Sequence, residues 1–179
     1  MTPTSIIPTI VTSETFNYPN ADVILRSSGP HQINFRVHKL ILSLSSPFFE
    51  TMFTLPNTPQ QTSVDRLPVI DMSESATVID TLLRIIYPIP DPPFSTLNAD
   101  VFDAAHKFEM RAAFGCLRRY LTDPIFLEKE PLKAYAIAVI YNLKEEAKLV
   151  SRYTLRLNII DEPLLEEMKK YRYKIITGS

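Results

Sequence analysis

Residues 35–53 read FRVHKLILSLSSPFFETMF, and the change of period inside this stretch decides the fold. Ile33, Phe35 and Val37 alternate with polar residues, the pattern of a half-buried strand. The alternation stops at His38. Leu40, Ile41 and Leu44 then fall at the spacing of a short helix, with its apolar side expected to face inward. Ser46-Pro47 supplies a capping oxygen and a proline at the first helical position, where a missing N–H costs nothing, so a second helix is expected over PFFETMF. His38 and Lys39 therefore sit where a strand hands over to a helix. Polar groups at such corners satisfy loose backbone donors and acceptors, and His38 is read as bracing this structural joint rather than as catalytic.

Working outward, ADVILR from Ala21, the turn-rich SSGPHQ and INFRVH read as a hairpin that ends at the same joint. Before it, residues 1–19 are rich in Thr, Ser and Pro with little periodicity, and a flexible N-terminal segment is expected. Downstream, Ile79, Leu82, Leu83 and Ile86 form the stripe of a helix packed on a core, and Pro88 blocks its continuation. Four prolines, Pro88, Pro90, Pro92 and Pro93, favour an extended path before the next helix. Val101, Ala105 and Phe108 mark that helix, and Leu117, Tyr120 and Leu121 another. Asp123-Pro124 and Glu130-Pro131 punctuate the chain. Asn142, three residues before Glu145, has the spacing of a capping box, so a helix is expected from Leu143 to about Leu155. A last amphipathic helix is expected over EPLLEEMKKYRYKII, beginning near Pro163.

Composition narrows the function classes. The chain has 179 residues, 45% apolar and 22% charged, ordinary for a folded soluble protein. With 19 Lys+Arg against 20 Asp+Glu, no basic excess exists to neutralise a phosphate backbone, so nucleic acid is not an expected partner. The N-terminal stretch has neither a basic region nor an uninterrupted apolar run, so neither export nor membrane insertion is expected. A single cysteine, Cys116, allows no internal disulfide, and an intracellular location, cytoplasm and/or nucleus, is expected. His31, His38 and His106 lie in no zinc-binding spacing, and Cys116 sits among Phe114, Leu117 and Tyr120 in the setting of a small buried thiol. Only three glycines occur, Gly29, Gly115 and Gly178, too few for a phosphate-cradling loop. Glu145-Glu146 and Glu166-Glu167 are neighbours that point about 100° apart on a helix and do not converge. No catalytic, metal-binding or cofactor-binding residue is assigned, and binding is left as the chemistry.

Taken in order, ADVILR, FRVHKLILSLSSPFF, ETMF, LPVIDMSESATVIDTLLRIIYP and VFDAAHKFEMRAAFGCLRRYL resemble a BTB/POZ domain. The proline-rich YPIPDPP and the later KAYAIAVIYNLKEEAKLVSRYTL look most like the variant common in fungal BTB proteins, which continues into extra helices. The resemblance implies an α+β fold: a small three-stranded sheet with about five helices over residues 20–123, then a C-terminal helical extension over 124–177. It also implies a protein-interaction module that homodimerises and, in many members, acts as a substrate adaptor recruiting a cullin scaffold for ubiquitin transfer. The alternative is self-association in a scaffold or transcription-regulatory protein without ligase function. By the resemblance, Asp22 and Lys39 match the acidic and basic positions of a charged pocket near the dimer axis, and Phe53, Leu55, Phe94 and Leu97 could form a cullin-contact surface. Two departures stand out. The first twenty residues show no capped amphipathic helix of the kind that locks many dimers. Phe94-Ser95-Thr96 and Leu97-Asn98-Ala99 both lack the glutamate of the hydrophobic-x-Glu motif found in many cullin-recruiting members.

Overall fold

A computed structural model of the chain describes residues 9–55 and 62–155. Its centre is the hairpin of β2 (Val23–Arg26) and β3 (His31–Val37), antiparallel with Leu25 opposite Phe35. Gly29, at φ +98°, supplies the left-handed residue that the turn between them needs. All four residues of β2 are buried, as expected of a strand flanked on both edges. β5 (Leu67–Asp71) lies parallel to β2 on its other side, Leu25 facing Ile70. The two-residue β4 (Ser63–Val64) joins β5 through Asp65-Arg66, both at positive φ, the conformation of a tight hairpin turn.

The N-terminal segment departs from expectation. Thr9–Asn17 form a strand, β1, parallel to β3, with Thr9 opposite His31 and Thr12 opposite Asn34. The order is β1-β3-β2-β5-β4, so two edge strands extend the expected three-stranded sheet to five among the described residues. The register slips between Thr12 and Asn17, where Phe16 N–H donates to Ser13 Oγ. That local turn drives Phe16 into the core, fully buried against Phe35 and Tyr87. One aromatic anchor thus overrides the polar composition around it, which is why the strand was not visible as a period.

Contacts divide the chain into two compact units, Met1–Thr96 with Asp100–Ala113, and Leu97–Ala99 with Phe114–Ser179. In the first, helices α1 (Lys39–Ser45), α2 (Pro47–Thr54), α3 (Ala76–Ile86) and α4 (Ala99–Lys107), with a 3₁₀ turn at Phe94–Thr96, accompany the sheet. Ser75 Oγ caps α3 by accepting from Val78 N–H. Leu25, Leu42, Phe49, Leu82, Leu83, Phe108 and Met110 close a core whose remaining void, about 20 Å³, has room for little more than one water molecule.

The second unit takes in most of α5 (Arg111–Leu121) and then α6 (Pro124–Lys129), α7 (Pro131–Ile140) and α8 (Lys144–Thr154). Pro124 and Pro131 each open a helix, which their reading as punctuation left open, and Asp123 caps the first of these by accepting from Ile125 N–H. Asn142 is not the capping residue of α8. It lies at φ 52° and ends α7: its N–H donates to Val139 O and that of Leu143 to Ala138 O, closing the helix in a Schellman turn. Asn tolerates the left-handed conformation that this turn requires, and that preference outweighs capping here. The helix expected over residues 162–176 lies outside the described residues.

Candidate interaction surface

The joint at residue 38 is built by three elements of the first unit. β3 ends at Val37 and α1 starts at Lys39, with His38 in extended backbone between them. The His38 side chain caps nothing. Tyr87, the C-cap of α3, does that work instead: its hydroxyl accepts from His38 N–H at 2.9 Å and lies 3.2 Å from His38 Nδ1. A hydroxyl that accepts from the amide keeps its own proton free for Nδ1, so one phenol ties the backbone and the ring of the same residue. Tyr18 stacks on Tyr87 with centroids 5.4 Å apart and packs against the His38 ring at 5.1 Å. Burial pushes the Tyr87 phenol up to about 12, only partly opposed by its backbone hydrogen bond from His38. His38 Nε2 is buried and without a hydrogen-bond partner, the setting of a packed ring rather than of a proton carrier.

Asp22 and Lys39 do meet, through the backbone. Asp22 Oδ1 accepts from Lys39 N–H at 2.7 Å, satisfying an otherwise orphaned donor of the first turn of α1. The Lys39 ammonium lies instead over the Phe53 ring, 5.5 Å from its centroid. No ion pair joins the two side chains among the described residues. An exposed carboxylate beside a helix N-terminus gains more from the local amide than from a mobile ammonium.

The orientation of α1 was the least expected feature. Its inward residue is Leu42, whereas Leu40 and Leu44, one helical turn apart, face outward at 68% and 80% exposure. Ser46, absent from the set of candidate residues, fixes this geometry. It is fully buried, its Oγ accepting from Phe49 N–H and donating to the carbonyl of Phe108 at the end of α4. Phe48 at the start of α2 stays partly exposed while packing on Phe108. Leucine spacing alone does not say which of two helix faces is covered. The Ser-Pro pair after α1, which sets where the chain turns, was the available signal.

Of the four residues proposed for a second apolar surface, Leu55 is 61% exposed, Phe53 and Phe94 are half-buried, and Leu97 is fully buried. Leu97 packs inside the molecule and offers no contact surface, because the chain turns into α4 directly after it. Two open clefts of about 410 Å³ each are lined by neither His38, His106 nor Cys116. No group of three or more His, Cys, Asp or Glu side chains is placed to hold a metal ion among the described residues. Among the large apolar residues that the first unit exposes are two leucines on one face of α1, Phe48 beyond them, and Leu55 at the end of α2.

A layered unit of this kind, with an open apolar helix face, is suited to contact with other proteins. The BTB/POZ domain family model matches residues 14–124, more than half of the chain. The chain belongs to the BTB/POZ domain family, whose domains are protein–protein interaction modules. Among solved structures it is similar to the BTB domain of zebrafish PATZ1, at 22% identity over 55% of this chain and 73% of that one, with a TM-score of 0.40. No curated protein matches it.

Proposed function

We propose that the chain works inside the cell as an interaction module that self-associates through the outer face of α1. The observation that carries this reading is the exposure of Leu40 and Leu44, at 68% and 80%, on a helix of seven residues. Fully burying a leucine is worth about 1.5–3 kcal/mol, so two from each copy supply much of a dimer's driving force. Asp22 and Lys39 stand at the N-terminal end of this face, and the charged pocket expected of them belongs to the same dimer. Sedimentation equilibrium checks this: the wild type associates, and Leu40→Glu/Leu44→Glu loses mass. A wild type that remains monomeric at high concentration overturns the reading.

A second reading is supported by Leu55, exposed beside half-buried Phe53 at the end of α2. This edge suits an apolar partner such as a cullin, in a substrate adaptor whose later helices α6–α8 are read as part of the extension of fungal BTB proteins. Calorimetric titration with the N-terminal domain of a cullin of the BTB-recruiting class tests it. Binding abolished by Leu55→Asp supports the adaptor, and absence of heat leaves self-association alone.

A further inference from the structure

We infer that the proline segment between α3 and α4 is a docking ridge for another protein, a domain whose groove is lined by stacked aromatic side chains and rimmed by Lys or Arg. Neither the α1 face nor the Leu55 edge makes use of Pro88, Pro90, Pro92 and Pro93. Each proline ring holds its own φ at about −65° and pushes the residue before it into extended backbone. From Ile89 to Pro93 every residue is constrained in one of these two ways. The stretch is therefore preset to the left-handed extended helix of proline-rich ligands, with about three residues per turn. Its ends are fixed as well. Ile89 N–H donates to Tyr87 O at 2.8 Å, and the Thr96 amide and hydroxyl both donate to Pro93 O, at 3.0 and 2.8 Å. A partner thus meets a ridge that folding has ordered in advance, and loses little entropy in holding it.

Burial follows the same three-residue repeat. Ile89 is half-buried and Pro92 buried, whereas Pro90 and Pro93, the equivalent pair one position on, are both exposed, and so is Asp91 on the remaining edge. Pro90-Asp91-Pro92-Pro93 thus turns the two outer prolines of a PxxP pattern to solvent, where an aromatic groove can take them. The carbonyls of residues 88–92 accept no hydrogen bond among the described residues, which leaves them for the Trp or Tyr donors of such a groove. Asp91 is the only charge in the stretch and enters none of the ion pairs among the described residues, so its complement is a cation on the partner's rim. A second copy of this chain does not supply the groove. The chain has no tryptophan, and Phe48 and Tyr135, its only exposed Phe or Tyr side chains among the described residues, lie in different compact units.

Calorimetric titration of the full chain tests this with a set of WW domains that carry Arg or Lys at the groove rim, and with an SH3 domain whose rim is acidic. At least one basic-rimmed domain is expected to bind and the acidic-rimmed one is not. Pro90→Ala/Pro93→Ala, shown to be folded by circular dichroism melting, is expected to weaken binding by roughly tenfold or more. Asp91→Lys is expected to lose the basic-rimmed domain and to gain the acidic-rimmed one. In isotope-labelled chain the bound domain shifts the amides of Ile89, Asp91 and Phe94 and leaves those of Leu40, Leu44 and Leu55 in place. Leu40→Glu/Leu44→Glu is expected to bind as wild type does, whether or not the chain self-associates. If no domain binds at millimolar concentration, if Pro90→Ala/Pro93→Ala binds unchanged, or if the shifts fall on Leu40, Leu44 or Leu55, the docking ridge is overturned.

Discussion

Ser46 shows how much one small side chain can hold. Buried and engaged as both acceptor and donor, it caps α2 and ties the helix to the end of α4. Ser46→Ala leaves Phe49 N–H and Phe108 C=O without that partner, and about 1–3 kcal/mol of stability is expected to be lost in urea unfolding. Tyr87 works in a similar way at the neighbouring joint, with a consequence for pH. Its ionisation is held from 10.0 in the unfolded chain to about 12 in the folded one. The stability that its neutral phenol contributes is therefore complete below pH 10 and fades as pH rises towards 12. Tyr87→Phe is expected to be less stable at neutral pH, with the gap to wild type narrowing over that alkaline window in unfolding titrations. Glu109 carries the opposite kind of cost. At φ 53° it closes α4 in the same turn that Asn142 gives α7, with Met110 N–H reaching Ala105 O. Glycine adopts this conformation freely, so Glu109→Gly is expected to raise stability by about 0.5–1 kcal/mol, read as a higher urea midpoint.

At the scale of elements, the strands and helices with a clean period were legible in the sequence. The hairpin, α3 and the proline-led α2 all follow from local rules that need no knowledge of their neighbours. What was not legible depended on partners distant in the chain. The side of α1 that faces solvent is set by what covers Leu42. Tyr87 reads locally as the residue before a proline, yet it serves a backbone donor forty-nine positions away. β1 is held by Phe16 and by the Arg84 guanidinium, which donates to Thr15 Oγ from α3, not by any alternation of its own. Phe16→Ala is accordingly expected to cost about 3–5 kcal/mol and to release β1, seen as faster amide exchange at Val11 than at Leu25. Of the candidate residues, Asp22 and Lys39 were read as a charged pair, whereas the contact between them runs from the carboxylate of one to the backbone amide of the other. Leu97 was misplaced because an apolar residue beside prolines reads equally well as surface or as core.

For the whole molecule, the near balance of charge, net −1, means that copies approach with little electrostatic repulsion. Contacts made by leucines are then expected to respond weakly to ionic strength. Sedimentation across a roughly tenfold range of salt is expected to change the association constant by less than about threefold, whereas a charge-driven interface weakens steeply. Such insensitivity would let assembly follow protein concentration alone.

The central position of β2 also sets a timetable. It meets β3 through a short turn, but it meets β5 only after α1 and α2 have been laid down between them. A newly made chain can zip the hairpin within microseconds, while the parallel pairing waits on the slow search that long loops impose. During that wait Leu42 and Phe49, later buried, are bare beside Leu40 and Leu44, which remain bare afterwards. The nascent chain and the finished protein thus display overlapping adhesive surfaces, and the interval before β5 docks is when crowding by sister chains does most harm.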